Sequence, residues 1–106
     1  MKSVDIMPRQ VARELERVGS GIAIARRRRR IPMSTMLERT GLSKRTYQQV
    51  EKGDPRVAMA AYAMSLFALG LSKNIALLAD PERDASGMLL DTQNLPKRVH
   101  ATKVPK

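Results

Sequence analysis

The 106-residue sequence predicts an all-α fold, one compact five-helix domain with a short C-terminal extension. Apolar residues make up 42% of the chain but aromatics only 3%, so the core must come from Leu, Ile, Val, Met and Ala, which suits helix packing better than a sheet sandwich. Apolar residues also recur at steps of three and four, the spacing of a helical face. Pro32, Gly41, Gly53, Pro55 and Gly70 interrupt these runs where short helices would end.

Taken in order, Pro8 fits the first turn of a helix, after which Val11, Leu15, Val18, Ile22 and Ala25 share one face. Gly19 and Gly21 leave two readings open, one continuous helix or two broken near Ser20. Pro32 ends the segment because it disfavours helical geometry at Ile31. A short helix fits Met33–Thr40, closed by Gly41, whose left-handed backbone costs glycine little. Ser43 caps a third helix over Lys44–Lys52, with Tyr47 and Val50 facing inward, until Gly53, Asp54 and Pro55 stop it.

A fourth helix is expected from Ala58 to Leu69, with Met59, Tyr62, Ala63, Leu66 and Phe67 on its inner side and Gly70 at its end. A fifth places Ile75 and Leu78 on one face and ends at Asp80; Asp80 and Pro81 then start a last short helix through Met88, Leu89 and Leu90. The expected organisation is an N-terminal arm or helical extension over residues 1–17, a helix-turn-helix domain over 18–79, a C-terminal extension over 80–94 and a basic flexible tail over 95–106.

Charge is the first functional clue. The net charge of +10 suits a polyanionic partner. From Arg26 to Lys52 there are nine basic and two acidic residues, net +7, whereas Gly53 to Asn94 holds three basic and five acidic, net −2. One half is therefore expected to face phosphates. The run Arg26 to Arg30 encircles its helix, so its members cannot all touch one partner, and a solvated, partly structural set is the plainer expectation.

Two short helices joined through Thr40, Gly41, Leu42 and Ser43, the second polar outside and apolar inside, are the sequence form of a helix-turn-helix. A helix that reads DNA needs long donors near its N-terminus, and Lys44, Arg45, Gln48 and Gln49 supply them. Arg or Lys pairs with guanine O6 and N7 and Gln with adenine N6 and N7, each good pair contributing roughly 1–3 kcal/mol of discrimination. One such helix covers few base pairs, so a homodimer on two half-sites of a palindromic double-stranded operator is expected. Ile75 and Leu78 are assigned to the core, and Leu77, Leu89 and Leu90 to a dimer or partner interface.

On these residues, Ile31 to Gly53 resembles the helix-turn-helix of the lambda-repressor-like, or XRE-type, regulators. The likeness is carried by Met36, Gly41, Leu42-Ser43, Thr46-Tyr47 and Val50-Glu51-Lys52-Gly53, and it extends from Val18 to Leu78. It implies base contacts from Lys44, Arg45 and Gln49, with Ser43, Thr46 and Lys52 nearer the phosphates. It also implies a structural ion pair between Arg26 and Glu51. Two positions depart from the pattern: Met33 stands where a phosphate-binding Gln is common, and Leu37 replaces a small Ala between the two helices.

A narrower resemblance rests on Gly53-Asp54-Pro55, Ala68-Leu69-Gly70-Leu71, Ala79 to Asp84 with Gly87, and Leu95-Pro96-Lys97-Arg98, which together are similar to the HipB-type antitoxins. That likeness implies a homodimeric repressor of its own operon that holds a HipA-like Ser/Thr kinase toxin in a DNA-bound complex. The alternatives are a stand-alone XRE-type regulator and a toxin-neutralising protein with little specific DNA binding.

Other classes fit poorly. There is no cysteine, His100 is the single histidine, and Asp80, Glu82 and Asp84 are better explained as the acidic start of a helix than as a metal site. No catalysis, metal or cofactor is expected. Gly19-Ser20-Gly21 follows no strand and lacks the lysine of a nucleotide-binding loop. A basic amphipathic helix on a membrane would not need turn residues at Gly41, Ser43 and Gly53. With no signal core and no apolar run of spanning length, the expected location is cytoplasmic.

Overall fold

A computed structural model describes residues 3–90, 95 and 97–99, and these residues are mostly helical, with no strand among them. Most of the expected tail, Pro96 and 100–106, and residues 91–94 of the expected extension lie outside the described residues. The chain divides into two units, Met1–Ala76 and Leu77–Lys106.

In the first unit a 3-10 turn over Ser3–Ile6 precedes α1 (Arg9–Arg28), α2 (Met33–Thr40), α3 (Lys44–Lys52) and α4 (Met59–Ala68). Pro8 stands just before α1, where its carbonyl accepts from the amides of Val11 and Ala12. α1 runs unbroken through Gly19 and Gly21, which settles the choice left open by the sequence. Its buried face is Gly19, Ile22, Ala23 and Ala25, while Val11 and Val18, expected inside, are exposed.

The reason lies at Gly19. A Cβ there would meet the Val50 carbonyl at 2.5 Å, the Glu51 carbonyl at 2.8 Å and the Gly53 amide nitrogen. Gly19 is therefore the point at which α1 and the end of α3 touch backbone to backbone, and that contact turns the helix so that Val18 points away.

The core is built from Ile22, Ala25, Met36, Tyr47, Val50, Ala61, Tyr62 and Leu69, with Met33, Leu37 and Leu42 half-buried against it. α3 packs on α1 and α4, and α2 packs on α4. Met33 thus spends its side chain on packing, and Leu37 is accommodated at the core's margin. No buried polar side-chain atom among the described residues lacks a hydrogen-bond partner.

α4 presents a different face from the one expected. Ala61, Tyr62, Ser65 and, just past its end, Leu69 are buried, whereas Met59 and Phe67 are exposed. Small Ala61 and Ser65 admit the neighbouring helices closely, the Ser65 hydroxyl donates to the Ala61 carbonyl at 2.8 Å, and the Tyr62 hydroxyl donates to the Asp54 carbonyl at 2.7 Å. The bond from Tyr62 to Asp54, with the close fit of small Ala61 and Ser65, selects the inner side of a helix that is otherwise apolar all round.

The expected fifth helix is instead a 3-10 segment, Ser72–Leu77, with Ile75 half-buried and Leu78 exposed rather than in the core. Six residues with so little to bury cannot sustain α-helical turns by packing. In the second unit the expected last helix is replaced by a 3-10 turn over Pro81–Arg83 and a four-residue α5 (Ala85–Met88). Asp80 and Asp84 cap these turns, accepting from the amides of Glu82 at 3.0 Å and Gly87 at 2.9 Å. Leu77, Leu89 and Leu90 are all exposed.

Candidate nucleic-acid interface

The turn between α2 and α3 is held by three local devices. Gly41 adopts φ +72° and its amide donates to the Leu37 carbonyl at 2.9 Å. The Thr40 hydroxyl donates to the Met36 carbonyl at 2.7 Å and accepts from the Leu42 amide at 3.2 Å. The Ser43 hydroxyl accepts from the Thr46 amide at 3.1 Å, closing the N-terminus of α3, and donates to the Thr46 hydroxyl oxygen at 3.0 Å. The two hydroxyls thus meet at the exposed start of α3, each able to donate or accept.

At about 100° per residue, Lys44, Gln48, Lys52, Arg45 and Gln49 fall in that order across one arc of about 140° on α3. Tyr47 and Val50, fully buried, occupy the opposite side. Lys44, Arg45, Gln48 and Lys52 are exposed and Gln49 is half-buried. Among the described residues none of the five side chains makes a hydrogen bond or an ion pair, so their donors are free for a partner.

Beside the Lys44 edge of this arc, Arg26 Nε lies 2.7 Å from Glu51 Oε2 and a second guanidinium nitrogen lies 3.3 Å from Oε1, a forked pair between α1 and α3. Its side chains are only 15% and 13% exposed. The remaining Arg26 nitrogen donates to the Ile31 carbonyl at 3.1 Å, and the Tyr47 hydroxyl donates to Glu51 Oε2. Burial alone would raise the Glu51 carboxyl, but hydrogen bonds from Arg26 and Tyr47, with the charges of Arg26 and Arg27, hold it below the ordinary carboxylate value. The Tyr47 hydroxyl is pushed up by burial and by Glu51, so it remains a donor at neutral pH.

Arg27 to Arg30 are exposed. Arg27 Nε and an Arg29 nitrogen donate to the Ala23 and Ala25 carbonyls at 3.3 and 3.0 Å, satisfying the last turn of α1, where cations also suit the helix dipole. Arg30 takes φ +55°, the left-handed region that favours glycine. Arg30→Gly is expected to stabilise the fold by about 1 kcal/mol, read as a higher melting temperature. A lower one would mean that contacts of the Arg30 side chain outweigh the backbone strain.

The sequence reading thus names an arc that the fold brings together: Lys44, Arg45, Gln48, Gln49 and Lys52 on one side of α3, Ser43 and Thr46 at its cap, Arg26 and Glu51 as its brace. It did not identify the Tyr47 hydroxyl as a member of that brace, or Gly19 as the seat of α3. Tyr47 four residues before Glu51, one helical turn away, was the available signal for the first. No helix among the described residues is long and apolar enough to cross a membrane. Comparison of the chain with protein-family models, with curated proteins and with solved structures finds no match.

Proposed function

We propose that the chain is a sequence-specific DNA-binding repressor of the lambda-repressor-like type that acts as a homodimer on a palindromic operator. In this reading α1 to α4 and the Ser72–Leu77 segment form a lambda-repressor-like domain, with Ser72–Leu77 in the place of its fifth helix. The observation that carries it is the outer arc of α3, five long donors without internal partners on a helix capped by Ser43 and braced against α1 by Arg26, Glu51 and Tyr47.

α3 enters the major groove N-terminus first. Lys44, Arg45, Gln48 and Gln49 meet base edges, while the Thr46 hydroxyl, the Ser43 end of the helix and Lys52 lie near phosphates, drawn by the positive end of the helix dipole. The basic segment from Arg26 supplies the salt-dependent part of the affinity. The narrower form of the proposal, supported by the loop and tail likenesses, is a HipB-type antitoxin that represses its own operon and binds a HipA-like kinase toxin.

Binding to the DNA upstream of the chain's own gene, set against scrambled DNA across about 50 to 200 mM salt, tests the reading. A preference of roughly a thousandfold with a steep salt slope is expected. Equal, salt-sensitive affinity for both DNAs would reduce the chain to a basic protein without sequence recognition. Arg45→Ala should weaken specific binding by about 1–3 kcal/mol and relax one base position. Uniform loss on every sequence would move Arg45 from the bases to the phosphates.

A further inference from the structure

α4 lacks a polar outer side. At about 100° per residue, Met59, Ala63, Phe67, Ala60 and Met64 span an arc of about 140° opposite the buried one, and none carries a charge or a side-chain hydrogen-bonding group beyond thioether sulfur. Phe67 is 66% exposed, Met59 61% and Met64 40%. Soluble helices that are apolar all round are normally covered on both sides. The exposed sides of the other three long helices are charged, with Arg13 and Glu14 on α1, Glu38 and Arg39 on α2, and Lys44 and Arg45 on α3.

We infer that this arc is a dimer interface, packing against the same arc of a second copy. The inference deepens the DNA-binding reading, which requires two recognition helices, but its evidence lies wholly on α4. Charge selects the occupant. Two copies of a chain carrying +10 repel wherever their basic surfaces meet, and the outer arc of α4 is where like can touch like without opposing charge. A partner chosen for acidity would be drawn to the basic helices instead. Arg39, which donates to the Ala68 carbonyl at 3.4 Å, stands at the C-terminal end of α4, where a polar rim belongs.

Area agrees with that choice. Phe67, Met59 and Met64 leave on the order of 350 Å² uncovered, so a two-fold pairing buries about 700 Å² of apolar surface before the alanines are added. A standard interface of about 1,600 Å² is a little more than half apolar, so the arc supplies most of one apolar core. Isologous contact places each residue of the arc against the same short set in its partner, and Phe with Met is a pairing that adapts readily to itself.

Sedimentation of the full chain without DNA, from about 1 to 100 µM, tests the inference. The wild type is expected to be dimeric, Phe67→Glu and Met64→Glu to raise the dissociation constant at least about a hundredfold with unchanged circular dichroism, and Leu89→Glu, at an exposed position that the sequence alone assigns to an interface and this inference does not, to leave the dimer intact. Because the chain has no cysteine, Ala63→Cys should form an interchain disulfide on mild oxidation, a readout that survives if the glutamate variants do not fold. A wild-type monomer at the highest concentration, a dimer that persists in folded Phe67→Glu, or one lost in Leu89→Glu would overturn it. A dimer without specific DNA binding would leave this interface standing and sink the DNA reading; specific binding by a monomer would do the reverse.

Discussion

Glu51→Ala is expected to destabilise the helical unit by about 2–4 kcal/mol, toward the lower part of the range for breaking a buried ion pair because both partners keep a little solvent contact. The loss goes beyond one attraction. Arg26 would keep its charge in a site that is 15% exposed with only the Ile31 carbonyl to satisfy it, and the hydroxyl of fully buried Tyr47 would lose its acceptor. Exchanging Arg26 and Glu51 together for Met and Leu should cost less than Glu51→Ala alone, since no charge is then stranded. Denaturant unfolding of the single and double variants measures the difference. A loss below about 1 kcal/mol for Glu51→Ala would mean that the pair behaves as a surface ion pair.

The same group predicts how stability changes with acid. The folded state holds the Glu51 carboxyl below its unfolded value, because the hydrogen bonds from Arg26 and Tyr47 outweigh the effect of burial. Its contribution is therefore complete above the ordinary carboxylate value of about 4.3 and is lost as pH falls through the lower folded value. Melting temperature should drop more steeply below pH of about 4.5 in the wild type than in Glu51→Gln, which has no proton to take up there. Parallel curves would place the acid sensitivity in other carboxylates.

The parts of this molecule that could be read from sequence are those in which one residue type answers a local demand. Gly41 and Gly53 both adopt positive φ at helix ends, and Ser43 caps the helix that follows it, so the turn and both ends of α3 are written in neighbouring residues. The arc from Lys44 to Lys52 needs only the helical repeat to assemble. What escaped depends on partners far along the chain or on a pattern without contrast. In α4 every position but Ser65 is apolar or Tyr62, so periodicity carries no phase, and the inner side is chosen by Asp54 and by the fit of Ala61. In α1, Gly19 reads as a helix breaker until Gly53 is placed against it.

That pairing carries the other large effect. Gly53→Ala is expected to cost about 2–5 kcal/mol, combining roughly 1–2 kcal/mol for a side chain in the left-handed region with about 1–3 kcal/mol for overpacking. At φ +72° a Cβ would meet the Leu15 carbonyl oxygen, its carbon at 2.5 Å and the Glu16 Cα at 2.6 Å, all of them backbone that cannot rotate away. Gly53→Asn, which tolerates left-handed geometry better than Ala but fills the same space, separates the two terms. If the crossing dominates, Asn is no better than Ala; if the backbone angle dominates, Asn recovers about 1 kcal/mol. Gly19→Ala approaches the same crossing from α1, where only the collision operates, because a helical φ suits alanine and its propensity there is better than that of glycine. A destabilised Gly19→Ala therefore shows that α3 is seated on α1 by backbone contact, and it should loosen the arc from Lys44 to Lys52 without altering one of its side chains. A neutral or stabilised Gly19→Ala would mean that the crossing opens at little cost, leaving the Arg26–Glu51 pair to hold α3 in place.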